Sequence, residues 1–185
     1  SEDTEIYQGL KLIDEELGGT TPVEIVIKLE DDGIEELTPE DLAEMTPEEI
    51  RDELAYMEAV RTQPELWFTP TKIDLIKKAH DFLDGLPEIG KVVSLASSVR
   101  VVEEIAEKEL DGMDMALLYN KVPDAVRNSL IRPYVSIKDN EIRLVARVLD
   151  SKPDLRRKEL LEKLHRGLGA NNGYEQLSDY KLMIK

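Results

Sequence analysis

Nine residues near the end of the chain alternate without a break. Over 141–149, Ile142, Leu144, Ala146 and Val148 fall on one side of an extended backbone, and Arg143, Val145, Arg147 and Leu149 on the other. Successive side chains of a strand point to opposite faces, so this pattern is a strand with one wholly apolar face. Such a face needs a sheet around it and a layer on top of it. The mixed second face predicts partial cover on that side too. Residues 134–137 are placed to pair with this strand across Lys138, Asp139 and Asn140 as a hairpin.

The elements around it come in a restrictive order. Residues 4–17 carry Ile6, Leu10, Ile13 and Leu17 on one helical face, and Gly18-Gly19 stops the helix. Thr21-Pro22 launches a strand over 23–29 centred on the β-branched Ile25, Val26 and Ile27. Thr38-Pro39 and Thr46-Pro47 each open a helix, with Thr as cap, Pro at the first helical position and acids in the first turn. Thr46 with Glu49 fits a capping box, and that helix runs to about Arg61. Thr69-Pro70 opens another, with Ile73, Ile76, Ala79 and Leu83 in its stripe, Leu75 and Phe82 alongside and Gly85 at its end. A strand over 88–94 leads into a helix-like run, 95–110, whose buried face is expected at Val99, Val102, Ile105 and Ala106. A proline-started helix over 122–130 precedes the hairpin. An amphipathic helix with Leu160, Leu161, Leu164 and Leu168, a Gly-Asn turn over 169–173 and a strand over 180–184 complete the order.

Within one domain spanning 1–185, residues 30–68 read as an acidic helical insertion and 96–131 as a helical insertion between strands. Without them the order is strand, helix, strand, strand, helix, strand. This is the α+β, ferredoxin-like split βαβ (βαββαβ) arrangement, an antiparallel sheet with two helices on one face. Right-handed crossovers are expected to set the two helix-linked strand pairs side by side.

The chain has 185 residues, 41% hydrophobic and 35% charged, which suits a globular domain with a real core. It has no cysteine, which excludes disulfides and thiolate chemistry. No apolar run approaches the roughly 18 residues of a membrane helix. Residue 1 is not Met, and the sequence stops inside an apolar run, 180–185; both ends are read as cuts through a longer protein. Of the net charge of −16, residues 30–65 carry −12 (14 acids, with Arg51 and Arg61), leaving −4 for the rest. Such a surface excludes nucleic acid, which requires clustered Lys and Arg. It is either a solvated face or a docking surface for a basic partner.

Catalytic patterns are missing. His80 and His165 lie far apart, without zinc spacing, and are expected at or near the surface. Gly18-Gly19 lacks the residues of a phosphate loop, and no Gly-x-Ser-x-Gly elbow occurs. Asp31-Asp32-Gly33 lacks the spacing of a calcium loop. No carboxylate pair stands out, so neither an enzyme nor a cofactor is expected. Two apolar clusters remain. Trp67 and Phe68 either plug the acidic helices onto the sheet or face a lipid or partner. Met113 and Met115, with Leu117, Leu118 and Tyr119, either pack on the core or line a greasy passage.

Over 17–27, 83–95 and 122–150, and more loosely along nearly the whole chain, the sequence resembles the large soluble loops of exporters of the resistance–nodulation–division (RND) superfamily, in the MMPL-like lipid-exporting branch. The resemblance implies a porter domain on the extracytoplasmic, periplasmic side of the inner membrane. It implies that residues 4–17 descend from one membrane helix and that the run after Lys185 enters the next. The partners implied are the transmembrane helices and sister loop of the same transporter, and a hydrophobic or amphiphilic substrate such as a lipid. A homo-oligomer or an accessory protein is a further partner, through the acidic residues 30–65. The family's proton-relay acids lie in membrane helices, so no functional residue carries over. On the residues alone, the competing expectation is a stand-alone ligand-binding or protein-interaction module of the same fold, which would carry a defined small-molecule pocket.

Overall fold

The computed structural model describes residues 5–29, 37–152, 155–168 and 179–184. The turn expected over 169–173 and the Asp31-Asp32-Gly33 run lie outside them. The chain is α+β. Four strands, β1 (Thr21–Lys28), β2 (Ile89–Val93), β4 (Glu141–Val148) and β5 (Asp179–Ile184), form an open antiparallel sheet in the order β2-β4-β1-β5. The two helix-linked strand pairs are not side by side as expected; they interleave. β4 stands between β1 and β2, and β1 stands between β4 and β5. The pairing is determined by the two most apolar strands. Ile25 pairs with Leu144 and Ile27 with Ile142, so β1 and β4 share one buried face at the centre of the sheet.

A two-residue strand, β3 (Val135–Ser136), completes the expected hairpin by pairing with Ile142 and Glu141. It occupies the stretch of the β4 edge that β2, paired with residues 145–148, does not reach. The turn works through Asn140, at φ 51°, a left-handed conformation that Asn tolerates better than most residues. Its side chain donates to Leu29 O at 2.9 Å and accepts from Trp67 Nε1 at 2.9 Å.

One sheet face carries the core. Val23, Ile25, Ile27, Ile142, Leu144, Ala146 and Val148 are buried there beneath α5 (Pro70–Asp84) and α9 (Arg157–Leu168). The helices answer with Ile73, Ile76, Ala79 and Leu83, and with Leu160, Leu164 and Leu168. Each buried Val, Ile or Leu side chain among them contributes about 1.5–3 kcal/mol. The opposite face is half open: Val26 and Val145 are half-buried, while Lys28, Arg143 and Arg147 are exposed.

Both Thr-Pro starts open helices, α2 (Pro39–Glu44) and α3 (Pro47–Thr62), and each has a full capping box. The short α4 (Pro64–Trp67) follows. One helical stripe stays uncovered, and one expected buried face is cut short. In α1 (Glu5–Glu16), Ile6, Leu10, Ile13 and Leu17 share a face as read, but all are exposed. The helix is anchored instead by Asp14, buried and accepting from Thr20 Oγ1 at 2.7 Å and Ser151 N at 2.8 Å. Gly18 and Gly19, at φ 66° and 103°, then bring the chain against Val148, where a Cβ on Gly19 would lie 2.7 Å from the carbonyl oxygen. In α6 (Leu95–Ala106) the buried face stops near Val102: Ile105 and Ala106 are exposed, because Glu107, at φ 53°, ends the helix and turns the chain away.

Candidate functional site

The insertion between β2 and β3 folds into three helices, α6, α7 (Gly112–Lys121) and α8 (Asp124–Leu130), around an apolar cavity of about 360 Å³. Ser94 caps α6 by accepting from Ala96 N, and its own N–H donates to Ser97 Oγ. That start aims Leu95, Val99 and Val102 into the cavity. Asp111 caps α7 in a box with Asp114, which Lys108 also binds at 2.8 Å. Gly112 then passes so close to α4 that a Cβ would sit 2.0 Å from Phe68 O. This approach sets Met115 and Leu118 in the second wall.

α8 forms the third wall with Val126 and Leu130, while Ile131 and Tyr134 continue it toward Val93 of β2. No residue of α8 is buried; polar ties hold it. Arg127 donates to Tyr119 O at 2.7 Å and Val122 O at 3.1 Å, and its guanidinium lies 4.9 Å from the Tyr119 ring centre. Ser98 Oγ donates to Leu130 O at 3.1 Å, clasping α6 to α8.

No charged side chain is among those lining the cavity; its polar side chains are Ser97, Ser98 and Tyr134. Both serines are engaged with backbone groups. A charged or strongly polar group placed inside would lose its water without compensation, whereas an apolar group is accommodated. Exposed Val101, Val126 and Leu130 carry the apolar surface out to the mouth.

The four residues singled out in the sequence part company here. Met115 is buried and lines the cavity; Met113, two positions away, is 74% exposed and does not. Trp67 and Phe68 are buried in the core, edge to face with ring centres 5.0 Å apart. They plug α4 onto the hairpin turn and α7, and face neither lipid nor solvent within this chain. Phe68 also meets Tyr119 at 5.8 Å. Val99 and Val102 were read only as a buried helix face and Val126 and Leu130 were not singled out; all four are ordinary aliphatics whose convergence depends on three helices meeting.

His80 is a further correction: it is buried, with Nδ1 2.9 Å from Ser94 Oγ, because α5 packs against the start of α6. Burial holds its pKa below the usual value, with the Arg100 charge adding to the effect and Asp84 and Asp81 opposing it. Ser94 is itself buried and committed to capping α6, so the pair is structural. Glu103 fixes the other end of α6, pairing with Lys77 at 2.7 Å and accepting from Leu110 N at 2.9 Å. Burial works to raise its pKa, but those two bonds outweigh it and the carboxyl is held low. Among the described residues, no group of three or more His, Asp or Glu could hold a metal ion. No described helix is long and apolar enough to cross a membrane.

The chain matches no family model, no curated protein and no solved structure.

Proposed function

We propose that this chain is a porter-type domain of an RND-like exporter, standing on the extracytoplasmic side of the inner membrane, with a ferredoxin-like split βαβ sheet at its centre. In this reading the domain performs no chemistry. It forms part of the passage for a hydrophobic or amphiphilic molecule, and the membrane-embedded part of the same protein drives its motion. The observation that carries the reading is the uncharged cavity between α6, α7 and α8. The strand order β2-β4-β1-β5, with α5 and α9 in the two crossovers, is compatible with the split βαβ unit. Val23 pairs with Ile184, so β1 opens and β5 closes at the same end of the sheet, where the exposed apolar stripe of α1 also stands.

The same cavity favours a second reading, a stand-alone module that binds a hydrophobic ligand. Two experiments separate them. N-phenyl-1-naphthylamine, a fluorescent apolar probe, should bind the domain and be lost from Leu130→Glu, which puts a charge at the mouth; both readings require this. The reading frame around this sequence should encode an apolar span of about 20 residues on each side if the exporter reading holds. A frame without such spans overturns the exporter and leaves the binding module.

A further inference from the structure

Two surfaces of this chain are opposite in charge and neither is covered by the other. The first is the sheet face turned away from α5 and α9. Lys28, Lys91, Arg143 and Arg147 are exposed on it, flanking a half-buried apolar strip of Val26 and Val145. Arg132 borders a groove on this face together with Val26 and Arg143. Among the described side chains of this face the acids are Glu24 and Glu141, so five bases against two acids give +3 there, in a chain whose total is −16.

The second is the arm formed by α2 and α3. It carries eight acids (Glu40, Asp41, Glu44, Glu48, Glu49, Asp52, Glu53 and Glu58) against Arg51 and Arg61, a charge of −6. Among its described side chains only Met57 is buried, while Leu42, Leu54 and Tyr56 stand exposed between the acids. The arm therefore presents apolar groups ringed by negative charge, and the sheet presents an apolar strip ringed by positive charge. We propose that the occupant of the open sheet face is the α2–α3 arm of a second copy of this chain. Val26, Val145 and Tyr56 supply the apolar centre of the contact, with Asp52 and Glu53 on the Tyr56 side of α3. The charges around it set orientation and the rate of encounter. The contact does not depend on the exporter reading or on the cavity.

The test is the mass of the purified chain by sedimentation or light scattering across ionic strength. Species heavier than one chain are expected at low salt, reverting to the monomer at high salt as the rim charges are screened. Arg143→Glu with Arg147→Glu on the sheet, or Asp52→Lys with Glu53→Lys on the arm, should weaken association by about tenfold or more. All four positions are exposed, and circular dichroism checks that each variant folds. Mixing the two reversed variants should restore association, because each offers the surface the other has lost. A single-chain mass at low ionic strength and high concentration overturns the proposal. So does association that either reversal leaves intact, which would place the contact elsewhere, with the α1 stripe the next surface to examine.

Discussion

The α2–α3 arm and the α6–α8 lobe are both helical, both inserted between strands of the same sheet, and organised in opposite ways. The arm's helices are set by their ends: Thr38 and Thr46 each close a capping box, and Asp41 and Glu49 have lowered pKa values because the threonine side-chain and backbone groups hydrogen-bond to their ionised forms. Its apolar residues Leu42, Leu54 and Tyr56 stay outside. The lobe turns Val99, Val102, Met115 and Leu118 inward around a cavity, and its outermost helix is held by Arg127 and Ser98. Local hydrogen bonding suffices to make helices, but a cavity exists only where several apolar faces converge.

The largest test of this contrast is at the junction between the two. Trp67→Ala removes a buried indole and strands Asn140, which accepts its N–H. It should lower stability by about 3–5 kcal/mol in a denaturant melt; a loss below 1 kcal/mol would mean α4 is not the plug described. Gly112→Ala comes next. Its methyl group would collide with Phe68 O, moving α7 off α4 at a cost of about 1–3 kcal/mol. Weaker binding of N-phenyl-1-naphthylamine should accompany it, since Met115 and Leu118 move with that helix.

Thr46→Ala sharpens the contrast from the other side. It removes an N-cap worth about 1 kcal/mol to α3. Because the arm is barely packed, backbone amides of α3 should exchange faster while the melting temperature of the body stays put. A matching fall in the global transition would show that arm and core unfold together.

The smallest effect is in pH. His80 has a lowered pKa in the fold, so its contribution is intact above its ordinary value of 6.5 and is lost as pH falls toward the folded value. Stability should therefore decline on acidifying below neutrality, and His80→Gln should flatten that slope. Asp14 and Glu103 act in the same direction at lower pH. Burial raises each, but hydrogen bonds to Thr20 and Ser151, and to Lys77 and Leu110, hold them low, and their contribution disappears as pH falls through the carboxylate range. An unchanged slope in His80→Gln would show that His80 titrates alike folded and unfolded.

Most of the framework was legible from order and periodicity. The 141–149 alternation, the Thr-Pro starts, the α5 stripe and the hairpin at Asn140 each rest on interactions between residues near one another in the chain. The candidate site was legible only in part. Met113 and Met115 look alike in sequence, yet two positions on a helix differ by about 200° in direction. Which of them faces inward depends on where α6 and α8 lie. The apolar stripe of α1 was just as regular as that of α5 and remained exposed, because a stripe states what could be buried and says nothing of whether a neighbour arrives. His80, read as lying at or near the surface, is buried where α5 meets the start of α6, beside Ser94 fourteen positions away.

The sequence by itself determined most of the elements and their caps, because propensity, turn chemistry and alternating hydrophobicity act over a few residues. Only the tertiary structure decided that the helix-linked strands interleave, that Trp67 and Phe68 are core, and that three helices surround an apolar cavity. Those outcomes depend on which distant surfaces meet, and burial acts on the assembled surface without regard to distance along the chain.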